Sequence, residues 1–250
     1  MLLRVVIDSG LVVTNSVFRL VFINRKVQRP TTPAITIEDD DPARARRSPA
    51  APPERPTQRS QAKADRRAAL LDAAAGMFAE RGFNGVSIED LGAAVGVSGP
   101  AVYRHFPSKQ AVLEALLVGV SERLLEGGEE VADAEPDPDA ALRGLIAFHI
   151  DFALGEPDTI RVQDRDLDAL GDAARRQVRR LQRRYVEVWM RVLGQLQPAL
   201  ADDELRVRVQ GTFGLLNSTP HSARIGTAQV AADAVRPVLE RMAWSALTTR

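Results

Sequence analysis

The sequence predicts an all-α protein, with an N-terminal three-helix helix-turn-helix domain and a larger helical domain after it. From about residue 66 onward, apolar residues recur at three- and four-residue spacing, the period of a helix face. The period-two alternation of half-buried strands is scarce there, and alanine and leucine, both strong helix formers, are abundant. Glycine, proline and capping serines punctuate the pattern at helix-length intervals.

The bulk numbers set limits. The chain has 250 residues, 45% of them hydrophobic, enough for a sizeable core. It has no cysteine, which rules out disulfides, thiolate metal sites and cysteine nucleophiles and suits a reducing cytoplasm. The net charge of zero hides a gradient: +4 over residues 1–60, +1 over 61–109 and −5 over the remainder. Such a gradient points weakly toward nucleic acid at the N-terminal side.

Residues 1–29 carry apolar patches, but their longest uncharged run, 9–18, is too short to span a bilayer. Asp8 also spoils a signal peptide. Residues 30–60 hold seven of the fifteen prolines and an acidic run, Glu38–Asp41. A segment of that composition cannot bury enough apolar surface to offset its ordering entropy, so 1–60 is expected to be disordered. Much of it is expected to be an upstream extension from a misplaced translation start. From 41 to 67, eight basic residues face three acidic ones, the composition of a solvated linker or of an arm that follows phosphates.

The first helix is expected over 66–81, with Leu70, Ala73, Ala74, Met77 and Phe78 on one face and Gly82 and Gly85 ending it. Ser87 caps the next, and Asp90 three residues on completes a capping box. Ile88, Leu91 and Val95 form its apolar stripe, and Gly96 supplies the left-handed backbone that ends it. Ser98 caps a second short helix with Pro100 in its first turn. Val102 and Phe106 point inward, so Gly99, Pro100, Ala101, Tyr103, Arg104 and His105 lie at or near the surface. Pro107 stops this helix and Ser108 caps the following one. By periodicity alone this is either a hairpin within a bundle or a helix-turn-helix, whose second helix enters the DNA major groove.

A helix from Lys109 to about Glu126 has Val112, Leu113, Leu116, Leu117 and Val120 on its buried face. Gly127, Gly128, Pro136 and Pro138 read as a loop. Helices follow at about 139–154, 172–196, 202–217 and 227–247; residues 158–170 are ambiguous, since Thr159-Ile160-Arg161-Val162 also fits an extended segment, and context favours helix. Pro198 ends the 172–196 helix, and Pro237 is expected to kink the last, whose apolar face is Val230, Ala234, Val235, Val238, Met242 and Leu247.

Gly96-Val97-Ser98 followed by Ala101-Val102-Tyr103-Arg104-His105-Phe106-Pro107-Ser108-Lys109 resembles the DNA-binding signature of the TetR family of transcriptional regulators, over roughly residues 66–117. The resemblance implies that Tyr103, His105 and Lys109 grip phosphates, with Tyr103 also able to reach a base edge. Ser87 and Ser98 can donate to phosphates through their hydroxyls. Gly99, Pro100 and Ala101 depart from many relatives in holding no long polar side chain, which leaves Pro100 and Ala101 to meet thymine methyls and Arg104 or groove shape to add specificity. It further implies domains at 61–109 (DNA-binding) and 110–250 (effector-binding and dimerisation), with a homodimer formed through the last two helices. A palindromic double-stranded operator requires such a dimer, because one recognition helix reads a half-site. Phe148, His149, Phe152, Tyr185, Trp189, Phe213 and Asn217 are the candidate pocket residues, a mix of aromatics and a few polar groups that suits an apolar or acyl-type effector.

Other chemistry finds little support. Asp164-Arg165-Asp166-Leu167-Asp168 has the opening spacing of a calcium loop, but Ala169 and Arg175 stand where that loop needs glycine and glutamate. The three histidines lack helical metal-ligand spacing, and no nucleophile elbow, Walker loop or GxGxxG is present. The expectation is a DNA-binding regulator with no enzyme activity, metal, cofactor or membrane partner, most simply a ligand-released repressor. An effector-independent architectural or partner-binding helical protein is the alternative.

Overall fold

The computed structural model describes residues 58–218, 224–225, 228–229 and 232–249, and residues from Asp65 onward form one compact unit. The expectation of disorder for 1–57 falls outside the described residues. Residues 58–60 are already helical, because α1 spans Gln58–Arg81 and starts earlier than the apolar stripe suggested. Its first turns, rich in Gln, Ala and Arg, are good helix formers with little apolar surface to bury. A 3-10 turn at Phe83–Gly85 follows, then α2 (Ile88–Ala94) and α3 (Gly99–Val102).

The next helix corrects the sequence reading. α4 runs unbroken from Lys109 to Ala134, straight through Gly127 and Gly128, which were expected to mark a loop. A Cβ at Gly127 would lie 2.4 Å from the Phe148 ring, and one at Gly128 would lie 2.4 Å from the Tyr185 ring. These glycines are present so that two aromatic rings can lie on bare helix backbone. The chain turns instead at Glu135–Asp137, where Asp137 caps the following helix by accepting from the Ala140 amide at 3.3 Å.

The remaining helices are α5 (Pro138–Gly155), α6 (Pro157–Asp166), α7 (Asp172–Leu196), α8 (Asp202–Asn217) and α9 (Ala232–Thr248), with a 3-10 turn at Leu167–Ala169 after α6. The last helix starts later than expected because residues 228–229 pair antiparallel with 224–225, in the register Arg224↔Gln229 and Ile225↔Ala228. Val230, expected on its apolar face, falls outside the described residues.

Two hydrophobic clusters organise the unit. The first gathers Leu70, Phe78, Ile88, Leu91, Val102 and Phe106 around the start of α4, and draws in Val162, Leu170 and Val178 from later in the chain. The second joins the far end of α4 to α5, α7, α8 and α9 around Trp189, which is fully buried. α9 buries Leu239, Ala243 and Leu247, so the predicted Val238 and Met242 face outward, 43% and 47% exposed. The helix is apolar on two sides, and the monomer core takes one of them. Among the described residues no helix is long and apolar enough to cross a membrane.

The glycine contacts set an expected order of stabilities. Gly128→Ala should cost about 1–3 kcal/mol, since Tyr185 is buried and cannot swing aside. Gly119→Ala, on the same helix with nothing within 4 Å of a new Cβ, should stabilise by about 0.5–1 kcal/mol. Urea denaturation of the two variants checks this, and equal effects would contradict the close approach at Gly128.

Candidate nucleic-acid interface and ligand site

The helix-turn-helix is built from its caps. The Ser87 hydroxyl accepts from the Asp90 amide at 3.0 Å and donates to the Asp90 carboxylate at 2.8 Å, and the Ser87 amide donates to the same carboxylate at 2.9 Å. These bonds, the amide's foremost, hold the Asp90 carboxyl below the ordinary range. They also occupy the Ser87 proton that the sequence reading offered to phosphate. At the other end Gly96 adopts φ +69°, as its position in the turn required. Gly92 has a role that periodicity did not reveal. A Cβ there would sit 2.7 Å from the Val97 carbonyl and 3.2 Å from a Val102 methyl, so its absence lets α2 and α3 touch.

α3 is a single regular turn that tightens before it ends. The His105 and Phe106 amides both bond to the Val102 carbonyl, at 2.8 and 3.0 Å. Ser98 stands at the cap position, but its hydroxyl makes no capping bond. Val102 and Phe106 are buried, which turns Pro100, Tyr103 and Arg104 outward. Tyr103 is 52% exposed, while Gly99, Ala101 and His105 are half-buried. Glu89, overlooked in the sequence, has its carboxylate 3.3 Å from where a Gly99 Cβ would be. An acceptor therefore stands beside the helix that lacks long polar side chains of its own. Lys109 donates from Nζ to the Phe83 carbonyl at 2.8 Å and lies 4.5 Å from the Phe83 ring centre, so it ties the turn before α2 to the start of α4.

The charged run at 164–168, whose spacing does not complete a calcium loop, contains a latch. The Arg165 guanidinium donates to the Phe78 carbonyl and, at 3.2 Å, to that of Ala79, in the last turns of α1. A cation there complements the helix dipole and bonds the Ala79 carbonyl, and it shares the Phe78 carbonyl with the Gly82 amide, which donates to it at 2.8 Å. The neighbouring Asp166 carboxylate accepts from the Phe83 amide at 3.3 Å. Contacts across more than eighty residues leave no local pattern, so nothing in the sequence signalled them.

The candidate pocket residues come together in two settings. His149 stacks on Phe213 with centroids 4.7 Å apart, and Tyr185 stacks on Phe213 at 5.3 Å. Trp189 meets His149, Tyr185 and Phe213 edge-on. His149 Nε2 lies 3.1 Å from Asn217 Oδ1 and Nδ1 lies 3.3 Å from the Tyr185 hydroxyl. The acceptor at Asn217 assigns the proton to Nε2, leaving Nδ1 to accept from Tyr185. This buried core joins α5, α7 and α8. Phe148 and Phe152 are instead half-buried and line an open groove between α4 and α5. Among the described residues there is no metal-ligating cluster.

Burial lowers the His149 pKa to about 4 against the opposing pull of Asn217, and burial raises that of Tyr185. The unfolded chain therefore takes up a proton at His149 near pH 6.5 that the folded protein refuses until about pH 4. The stabilising contribution is present above pH 6.5 and lost as pH falls toward 4, by ~3 kcal/mol. Chemical denaturation across that window should show the loss in the native protein and a flatter profile in His149→Gln. Parallel profiles would place the histidine in contact with solvent.

Residues 70–116 match the family model described as bacterial regulatory proteins, tetR family, and residues 135–221 match the Tetracyclin repressor-like C-terminal domain. The nucleoid occlusion factor SlmA of Alteromonas mediterranea is 31% identical over 144 residues, 58% of this chain and 71% of that protein. The HTH-type transcriptional repressor KstR2 of Rhodococcus jostii is 27% identical over 167 residues, 66% of this chain and 80% of that protein. The crystal structure of a TetR-family transcriptional regulator from Bordetella parapertussis superposes with a TM-score of 0.63 at 26% identity, covering 71% of this chain and 93% of that one.

Proposed function

Because this chain belongs to the TetR family of DNA-binding bacterial regulators, we propose that it is a homodimeric, cytoplasmic transcriptional repressor whose hold on a palindromic operator is loosened by a small-molecule effector. The observation that carries the reading is the outward set Pro100, Tyr103 and Arg104 on a short helix fixed against α2. The relative named a transcriptional repressor supports the sign of regulation. Tyr103, the free cap position at Ser98, His105 and Lys109 contact phosphates, the lysine through protons not used at Phe83. Pro100 and Ala101 meet thymine methyls, and Glu89 accepts from a cytosine amine beside Gly99.

Dimerisation through α8 and α9 covers the outward apolar residues Val207, Val238 and Met242, which the monomer leaves 69%, 43% and 47% exposed. A second reading, a DNA-organising protein that answers to no effector, draws on the relative named a nucleoid occlusion factor and on the closed ring cluster at His149. Chromatin mapping separates the two: few promoter sites favour the repressor, and dispersed sites far from promoters favour the alternative.

Gel-shift titrations against the intergenic DNA upstream of the gene test the interface. Tyr103→Ala should weaken binding to every sequence by about fivefold to tenfold. Lys109→Ala should lower the salt slope by about one, and Glu89→Ala should relax preference at one base pair. Unchanged affinity and slope in all three would overturn this docking. Separately, Val238→Arg with Met242→Arg should sediment as a monomer that still unfolds cooperatively, and a persistent dimer would move the interface elsewhere.

A further inference from the structure

The groove between α4 and α5 has a volume of 540 Å³, within the range of drug-sized sites, roughly 300–1,000 Å³. Its floor is Val120, Leu124, Phe148 and Phe152, and its rim carries the carboxylates of Glu126, Glu130, Asp151 and Glu156 against one arginine, Arg123. Glu156 binds Arg123 through both carboxylate oxygens at 2.8 Å, and Asp151 pairs with Arg236. Among the described residues Glu126 and Glu130 make no ion pair, and they stand one helical turn apart, where like charges repel.

We propose that this groove binds an amphipathic organic cation, with its apolar body on Phe148 and Phe152 and its charge among Glu126, Glu130 and Glu156. An acyl carboxylate, which the residue mix alone suggested, would enter a rim of its own sign. A small polar cation would leave the ring floor unused. An organic cation satisfies both, because aromatic faces and carboxylates attract it together.

Arg123 gives the site a route to the DNA-binding domain. Its pair with Glu156 is 59% and 39% exposed, an arrangement worth little and easily exchanged for a ligand's cation. Arg123, Glu126, Gly155 and Glu156 also line a second groove of 700 Å³, which reaches Leu71, Asp72 and Ala75 of α1. Displaced from Glu156, the Arg123 side chain can turn toward Asp72, Glu122 and Asp158, which line that groove between α1, α4 and the start of α6. Ligand entry on one side of α4 then becomes a change of charge pairing on the other. This consequence rests on the repressor reading, while the binding itself does not.

Calorimetry on the full chain without DNA tests the site, with tetraphenylphosphonium as the probe and laurate and spermidine as comparators. Tetraphenylphosphonium should bind and the comparators should not. Glu126→Gln with Glu130→Gln, both exposed and unpaired among the described residues, should weaken binding about tenfold. Arg123→Ala should bind the probe a few-fold tighter, because the competing cation is gone. Preference for laurate, binding of spermidine in place of the probe, no binding of the probe, or equal affinity in the double variant would each overturn the proposal. A gel shift with the same preparation is read separately: a protein that binds the probe but no operator sinks the repressor reading and leaves the site standing.

Discussion

Two rings resting on bare backbone, Phe148 at Gly127 and Tyr185 at Gly128, decide how this molecule is assembled. With side chains there, α5 and α7 would stand off from α4 and the aromatic core would open. Without them α4 continues unbroken, and α7 lies alongside it in the same direction. The side-chain pairs Gln177–Glu122, Arg184–Glu129 and Arg191–Asp133 follow one another along the two helices with nearly constant offset. Such exposed pairs add little stability and serve better as a register. The energy lies beneath them, in Tyr185, Trp189 and the neighbours they exclude from water.

What was legible in the sequence is what local physics dictates. The capping box at Ser87, the turn at Gly96, and the span of α7 and α8 follow from spacing and caps, because each signal and its consequence lie within a few residues. Glycine is where that reading divides. Gly96 is needed for its own dihedral angle, which turn chemistry announces. Gly92, Gly127 and Gly128 are needed for what approaches them, and those partners are set by tertiary packing. The pair at 127–128 therefore reads as a loop although it marks a place where helices pack closely. The outward side of α9 is illegible for a related reason: Val238 and Leu239 are equally apolar, and only the neighbouring helices decide which is covered.

The candidate sites show the same division. The outward face of α3 follows from the inward pointing of Val102 and Phe106, which periodicity supplies. The seven candidate pocket residues were gathered by composition, which could not separate a ring that fills a core from one that lines a groove. His149 and Trp189 are of the first kind, Phe148 and Phe152 of the second. Glu89 goes unnoticed, and Arg165 stands out only within a rejected calcium-loop spacing, because a charged residue on a helix surface is ordinary until its neighbour is known.

The latch at Arg165 and Asp166 bears on what a lever can transmit. A helix-turn-helix joined to the rest of a protein by α4 alone would swivel about that helix, and movement at a distant groove would be dissipated. Here α6 makes a second attachment. Val162 and Leu170 pack into the same cluster as Phe78 and Leu91, and Arg165 and Asp166 bond to the end of α1 and to the turn after it. Two attachments fix an orientation where one fixes only a position. Val178 of α7 adds a further contact to the same cluster, so the packing of α3 depends on how α4, α6 and α7 lie together. The Arg123–Glu156 pair joins α4 to the residue just before α6, so it braces the same two elements that hold the helix-turn-helix.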